Sequence, residues 1–155
     1  MTPQLVDDLK RDEGLRLDAY RDTRGVWTIG YGHAGVAPGT TWTLDEADAQ
    51  LAVDIAATAA ELDERLPWWR GLDDVRQDVL CEMAFNLGVE GLLGFTGALR
   101  RIRAGDYAMA SAQMLLSAWA GQVGARARRL AAMMKTGARA PGGASPETSR
   151  LKSQP

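Results

Sequence analysis

Residues 12–33 of this 155-residue chain read DEGLRLDAYRDTRGVWTIGYGH. Glu13 stands directly before a glycine, which is a residue typical of helix ends. Two short runs rich in aromatic and branched residues follow at 15–20 and 26–31, and the turn sequence Asp22-Thr23-Arg24-Gly25 lies between them. The stretch therefore predicts a helix that ends near Glu13 and leads into a β-hairpin.

Helical periodicity dominates on both sides of this hairpin. Apolar residues spaced by three and four predict a helix over residues 3–13 ahead of it. Behind it, Thr43 and Glu46 have the spacing of a capping box and open a predicted helix over residues 43–66. At about 1.5 Å per residue this helix would be roughly 30 Å long, which is long enough to join two lobes.

The rest of the chain has the apolar spacing and the glycine breaks of further helices. The predicted helices run from Asp73 or Asp74 to Gly88, and over residues 95–103, 106–116 and 125–136. The glycines from Gly121 to Gly124 are interpreted as a break between helices. Residues 138–155 contain few large apolar groups and are interpreted as a tail. One domain is therefore predicted over residues 1–137.

The composition is that of a globular chain, with 46% hydrophobic and 25% charged residues. Its single cysteine, Cys81, cannot form an internal disulfide, and it is expected to be a small core residue. No run approaches 18 consecutive apolar residues, so no membrane insertion is expected. The first 12 residues lack the apolar core of a signal peptide, and we expect none to be cleaved.

The formal net charge of −2 conceals an uneven distribution. Residues 1–64 carry 5 basic and 13 acidic side chains, whereas residues 65–155 carry 13 basic and 7 acidic ones. The two parts thus have net charges of −8 and +6. This asymmetry indicates either two faces with different tasks or ordinary solvated helix surfaces.

Three side chains of the opening stretch have the properties that glycoside hydrolysis requires. Glu13 is predicted at a helix C-terminus, where the helix dipole disfavours negative charge, and burial there would raise its pKa and suit it to general acid catalysis. Asp22 lies in a solvated turn and is expected to stay ionised, with Thr28 on the returning strand beside it. Two carboxyl groups of different pKa are what glycosidases use. Acidic residues near a turn are also commonly just solvated, and the pattern alone leaves this alternative open.

Other conspicuous residues favour structural roles. His33 is expected to be a hydrogen-bonding group, and Trp68-Trp69 is expected to pack at a helix end rather than to form a sugar platform. One His and one Cys do not suffice for a metal cluster, and the chain has no glycine-rich phosphate loop. No metal or cofactor is therefore expected.

The order and spacing of these residues resemble a known catalytic segment. Glu13, Asp22 and Thr28, together with Thr28-Ile29-Gly30-Tyr31-Gly32-His33, are similar to the active-site region of the T-even phage lysozyme type, glycoside hydrolase family 24. The similarity continues through Met83-Ala84-Phe85-Asn86-Leu87-Gly88, Trp119 and Arg126-Ala127-Arg128-Arg129 and covers about residues 4–137.

The resemblance implies an α+β, mostly helical, lysozyme-like fold of two lobes. A small β-hairpin lobe at about 12–42 would be joined by the connecting helix 43–66 to an all-helical C-terminal lobe at 67–137, and helix 3–13 would pack near the cleft between the lobes. The cleft would bind peptidoglycan, and the enzyme would cleave the β-1,4 bond between N-acetylmuramic acid and N-acetylglucosamine.

The resemblance also implies roles for individual residues. Glu13 would be the general acid and Asp22 the base or electrostatic partner, with Thr28 helping to hold a water. The remaining implied roles are a partner of the catalytic Glu (Arg126), a structural ion pair (His33 and Asp54), and substrate-binding or supporting residues (Gly30, Tyr31 and Phe85).

The resemblance leads us to expect a monomeric endolysin that waits in the host cytoplasm and depends on a holin to reach the wall. Two alternatives remain open: a virion-associated lysozyme that opens the wall during DNA entry, and a catalytically inactive wall-binding module. Nucleic-acid binding is not expected, because no recognition motif accompanies the basic residues.

Overall fold

A computed structural model describes residues 1–140, and within them it contains seven α-helices and a three-stranded antiparallel sheet. The elements follow in the order α1 (Gln4–Glu13), β1 (Arg16–Arg21), β2 (Trp27–Gly30), β3 (His33–Ala34), α2 (Leu44–Arg65), a short 3₁₀ turn (Trp69–Gly71), α3 (Asp74–Leu93), α4 (Thr96–Arg103), α5 (Tyr107–Leu115), α6 (Ala118–Val123) and α7 (Ala125–Thr136). The predicted α+β, mostly helical class is confirmed. The predicted tail falls almost entirely outside the described residues.

Helix α1 ends at Glu13, as predicted, and Gly14 follows with a φ of 71°. The start of the helix is held by a long-range contact and not by a side-chain cap. Pro3 takes the capping position without a side-chain hydrogen bond, and the backbone N–H of Thr2 instead donates to Asp78 of α3 at 2.9 Å. Long-range pairing with a buried carboxylate thus replaces the local cap.

Strands β1 and β2 form the predicted hairpin, with Tyr20 opposite Thr28. The structure adds a short third strand, in which His33 pairs with Ile29. The loop that follows folds back along β1, where Asp18 forms a bridge with Thr41. A two-residue strand is too short to be recognised from alternation of side chains, and for this reason the sequence predicted only the hairpin.

Helix α2 is the predicted connecting helix, and its bounds agree within one residue at each end. The capping box is present: the backbone N–H of Thr43 donates to Glu46 at 2.7 Å, and the N–H of Glu46 donates to the Thr43 hydroxyl at 3.2 Å. One face of the helix is buried along its whole length, by Ala47, Leu51, Ile55, Ala59 and Leu62. Because this stripe packs on both sheet and helices, α2 links the two parts of the fold.

The helices after α2 follow the prediction with two differences. Helix α3 reaches Leu93, but its helical backbone is interrupted at Gly88, the predicted end, where φ is 74° and ψ is 156°. Helix α6 runs through Gly121, so the predicted break is reduced to Gly124, which has a φ of 54°. Ser117 caps α6 by accepting a hydrogen bond from the N–H of Ala120 at 3.2 Å, and this local cap outweighs the low helix propensity of glycine.

Two expectations about buried side chains are confirmed. Trp69 is fully buried at the end of α2, and its indole N–H donates to Asp63 at 2.7 Å. Cys81 is fully buried in α3, where desolvation raises the pKa of its thiol to about 12. Both residues therefore belong to the core.

No single helix among residues 1–140 is long and apolar enough to cross a bilayer. Helices α3 and α4 together have the length and composition of a span, but they are bent by 102° at the break between them.

A Gly30→Ala substitution is expected to destabilise the chain by about 2 kcal/mol. Gly30 has a φ of 66°, and a Cβ atom there would lie 2.8 Å from the ring of Trp42. Gly35→Ala is a matched control, because its φ of 87° imposes similar strain while nothing lies within 4 Å of the added atom. Urea denaturation measures the free energy of unfolding of both variants, and the difference between them is the cost of the contact with Trp42. Equal losses of free energy would contradict a close packing of Trp42 on this strand.

Candidate active site

Glu13 lies at the edge of a cleft between α1 and α7. Its carboxylate accepts a hydrogen bond of 2.9 Å from the Arg126 guanidinium, and its side chain is only 19% exposed. A cavity of about 430 Å³ opens beside it. The cavity is lined by Arg11, Asp12, Glu13, Asn86, Val123 and Arg126. The contact between Glu13 and Arg126 that the resemblance implies is therefore present.

The surroundings of Glu13 favour its protonated form. Burial raises the pKa of this carboxyl group, Arg126 opposes the rise, and the neighbouring charge of Asp12 adds to it. The balance leaves the pKa of Glu13 above its ordinary value. The raised pKa expected from the sequence is thus confirmed in direction, and the group can hold a proton at a higher pH than an exposed glutamate.

In the hairpin turn, the surroundings of Asp22 favour its ionised form, in contrast to those of Glu13. Its carboxylate accepts hydrogen bonds from the backbone N–H groups of Val26 at 2.8 Å and Arg24 at 2.9 Å. These bonds, led by that of Val26 and helped by the Arg24 side chain, lower the pKa of Asp22. The carboxylate is therefore ionised at neutral pH, as the sequence predicts.

Thr28 is buried at the same turn, although its hydroxyl does not donate to Asp22. It donates to the carbonyl of Val26 at 3.1 Å, and the same carbonyl accepts the backbone N–H of Asp22 at 2.9 Å. The chain just beyond this strand lies close to Glu13: a Cβ atom added to Gly32 would lie 3.8 Å from the Glu13 carboxylate. The hairpin thus connects the Asp22 turn with the Glu13 side of the cleft.

A second group of charges lies behind Glu13, and the sequence analysis did not assign it. Asp12 lies 3.2 Å from Arg126 and also contacts Arg129, which binds Glu82 of α3 at 2.7 Å. The spacing of three between Arg126 and Arg129 places both on one face of α7, and this was a signal available from the sequence. The partners on α1 and α3 could not be paired with them without the tertiary structure.

Asn86 is the other residue of the cleft that the sequence analysis left without a role. It lines the cavity beside Glu13 and accepts a hydrogen bond from the indole N–H of Trp119 at 3.0 Å. Phe85, which was assigned as substrate-binding or supporting, is half-buried against the core and does not line this cavity. Its assigned role stays a prediction.

Gly30 and Tyr31 also make internal contacts. Gly30 packs under the ring of Trp42, and the Tyr31 hydroxyl donates to Asp48 of α2 at 3.0 Å. Asp48 in turn binds Lys10 of α1 at 2.8 Å. These contacts join the end of β2 to α2 and α1.

The predicted partners His33 and Asp54 lie in contact, with the imidazole Nδ1 3.0 Å from a carboxylate oxygen. Gln50 also donates to Asp54, at 2.8 Å. The pair connects β3 with α2, at a distance from the Glu13 cavity lining. Among residues 1–140, no cluster of three or more His, Cys, Asp or Glu side chains is arranged to hold a metal ion.

The fold is lysozyme-like: it consists of the small sheet, the long helix α2 and the helical region beyond it. The cleft contains an acid of raised pKa, Glu13, at the end of a helix. This combination is that of a glycosidase of the lysozyme type. A model of the family described as phage lysozyme matches residues 10–135. The chain therefore belongs to the phage lysozyme family.

Individual relatives agree with this assignment. The chain is 37% identical to an endolysin of Acyrthosiphon pisum secondary endosymbiont phage 1 over 108 residues, which cover 69% of this chain and 72% of the relative. It is 36% identical to the endolysin of Salmonella phage P22 over 76% of this chain and 82% of the relative. A third relative is the pre-baseplate central spike protein Gp5 of Enterobacteria phage T4, which is 31% identical over 86% of this chain but only 28% of that protein.

Proposed function

We propose that this chain hydrolyses the β-1,4 bond between N-acetylmuramic acid and N-acetylglucosamine in peptidoglycan, as an endolysin that lyses the host cell. The observation that carries the proposal is the pair of carboxyl groups with opposite pKa shifts, Glu13 raised and Asp22 lowered. Such a pair provides an acid and an ionised partner at one pH. The names of the two endolysin relatives support peptidoglycan as the substrate.

In the proposed reaction, Glu13 donates its proton to the oxygen of the glycosidic bond as the bond to the sugar C1 breaks. A water molecule attacks C1, and Asp22 accepts its proton. The attack from the opposite face of the ring inverts the anomeric configuration. Exchange of protons with solvent then returns Glu13 to its acid form and Asp22 to its ionised form.

Arg126 and Thr28 assist in this scheme without exchanging protons. Arg126 holds the carboxyl group of Glu13 in place and limits the rise of its pKa, so that proton donation remains favourable. The Thr28 hydroxyl donates a hydrogen bond to the carbonyl of Val26, so its oxygen is free to accept a hydrogen bond from the attacking water. We propose that this contact orients the water towards C1.

The biological part of the proposal is a monomer that accumulates in the host cytoplasm and reaches the wall once a holin has opened the inner membrane. A second candidate role is that of a virion-associated lysozyme, because the central spike protein is similar to most of this chain. Detection of the chain in purified phage particles would favour the second role. Its absence from particles, together with lysis that depends on a holin, would favour the first.

Release of soluble material from dye-labelled, purified peptidoglycan tests the proposal through Asp22. An Asp22→Asn variant is expected to lose about 100-fold in rate, because a neutral amide cannot take the proton from water. Asp18→Asn is a matched control, since Asp18 is an exposed acid on the same hairpin and is expected to keep the wild-type rate. Equal rates for the wild type and both variants would contradict the role of Asp22.

A further inference from the structure

Helix α3 contributes a carboxylate to the interior beside the cleft. The side chain of Glu82 is 1% exposed, and it meets Arg129 with both oxygens, at 3.2 Å to Nη1 and 2.7 Å to Nη2. A carboxylate at such a site is costly unless it is paired, and apolar side chains of similar volume are often at least as stabilising. The presence of this charge therefore calls for a reason other than stability.

Glu82 is connected to Glu13 by an unbroken series of ionic contacts. Arg129 bridges Glu82 and Asp12, Asp12 lies 3.2 Å from the Nε atom of Arg126, and Arg126 donates to Glu13 at 2.9 Å. The series runs from α3 to α7 and then alternates between α1 and α7 until it reaches Glu13 at the end of α1. A change at Glu82 can thus reach the carboxyl group of Glu13 through three intervening side chains.

We propose that Glu82 is a positioning residue for Glu13: it shares Arg129 with Asp12, keeps Asp12 available to Arg126, and thereby limits how strongly Arg126 pairs with the acid. The inference rests on the proposed function of Glu13 as proton donor. It assigns a role to a residue that does not line the cleft cavity.

The direction of the effect follows from the competition for two arginines. Without the charge of Glu82, Arg129 has fewer anions to satisfy and pairs more fully with Asp12. Asp12 then holds Arg126 less firmly, and Arg126 pairs more closely with Glu13. The loss of a nearby negative charge acts in the same direction, because both changes favour the ionised form of Glu13.

Other charged groups also face this network. From α1, Asp8 contacts Arg129, Arg11 and Arg139. Arg139, which follows α7 and lies beyond the predicted domain, also binds Asp78 of α3 at 2.6 Å. Asp78 precedes Glu82 by one helical turn and is fully buried, but its partners are Arg139 and Thr2 and not Arg129 or Asp12.

Asp78 therefore provides a matched control on the same helix. Asp78→Asn and Glu82→Gln each remove one buried negative charge from α3 without a large change in shape. Both are expected to lower stability, because each leaves an arginine with fewer partners. Asp78 is linked to Arg129 only through Arg139 and Asp8, so Asp78→Asn is expected to change the titration of Glu13 much less than Glu82→Gln does.

The experiment is a carbon-detected NMR titration of the Glu13 carboxyl group in the full chain, with its signal identified by its loss in Glu13→Gln. The midpoint is expected to be lower in Glu82→Gln than in the wild type by about half a pH unit. In Asp78→Asn the midpoint is expected to move by much less, because two further side chains separate Asp78 from Arg129. An unmoved midpoint in Glu82→Gln, or an equal shift in Asp78→Asn, would overturn the inference.

Two additions keep the test decisive. Glu82→Asp retains the charge but is too short to bind both nitrogens of Arg129. The midpoint of the Glu13 titration is therefore expected to shift in the same direction by a smaller amount. This variant replaces Glu82→Gln in the test if Glu82→Gln does not fold. The high-pH limb of kcat/KM on peptidoglycan should shift together with the midpoint. A wild-type chain without peptidoglycan cleavage would refute the proposed function, whereas the titration judges the positioning role by itself.

Discussion

A Glu13→Gln variant is expected to lose roughly a thousandfold or more of its lytic rate on outer-membrane-permeabilised Gram-negative cells. Glutamine fills the same space and can still accept the hydrogen bond from Arg126, but it has no proton of suitable acidity to donate to the leaving oxygen. Removing a general acid typically costs 10²- to 10⁴-fold, and an alkoxide is a poor leaving group without one. The decrease in turbidity over time measures this loss.

The folded state of this variant provides the control. Because the pKa of Glu13 is higher in the folded chain than its ordinary value of 4.5, ionisation of Glu13 opposes folding. The stability contributed by the protonated group is present below pH 4.5 and is lost as pH rises through the raised pKa. A neutral glutamine avoids this loss, so the variant should be at least as stable as the wild type at pH 7. Lysis at the wild-type rate by folded Glu13→Gln would refute the acid assignment.

An Arg129→Met variant is expected to lose about 3–5 kcal/mol of its free energy of unfolding. Arg129 contacts three carboxylates that come from two helices: Asp8 and Asp12 of α1, and Glu82 of α3. Methionine preserves much of the packing of the side chain but leaves these charges close together without their shared cation. The main cost is the desolvation of Glu82, which has no other basic partner among the contacts of the described residues.

Arg128→Met is the matched control for this loss. Arg128 precedes Arg129 on the same helix, and its side chain is exposed. Exposed substitutions usually change stability by less than about 0.5 kcal/mol, so this variant should unfold almost as the wild type does. Urea denaturation at pH 7 measures both variants. Similar midpoints for Arg129→Met and Arg128→Met would show that removing the shared cation from these carboxylates has no cost.

Features set by local chemistry were predictable from the sequence. The end of α1 at Glu13, the hairpin turn at Asp22 and the capping box of α2 all depend on residues within a few positions of one another. Helix α6 was missed because glycine usually breaks helices, whereas the cap by Ser117 sustains this one. A capping residue favours a helix and a glycine disfavours it, and the tertiary packing around the segment decides which of the two prevails.

The network behind the cleft was not predictable for a different reason. Arg129 is separated by 117 positions from Asp12 and by 47 positions from Glu82. A periodic pattern places each of these side chains on a helix face, but it does not show which faces meet. The sequence therefore predicted the acid and its turn partner, and only the tertiary structure identified the residues behind them.

The uneven charge of the two parts of the chain also has a clearer meaning in the structure. Arg126 and Arg129 bind acids of the N-terminal part across the cleft, so part of the asymmetry is complementary pairing between elements. Arg100, Arg103 and Arg128 remain exposed. The exposed arginines agree with the interpretation as solvated helix surfaces, whereas the pairing of Arg126 and Arg129 with N-terminal acids is a third cause that the charge count did not suggest.

The most direct test of the proposed chemistry is the analysis of soluble products from purified peptidoglycan treated with the wild type and Glu13→Gln side by side. Borohydride reduction labels newly formed reducing ends, and mass spectrometry of the separated fragments identifies the sugar that carries them. The proposed muramidase activity predicts reduced N-acetylmuramic acid at the new ends with the wild type and almost no soluble product with Glu13→Gln. New ends on N-acetylglucosamine, free peptides without sugar, or equal product from the two proteins would contradict it.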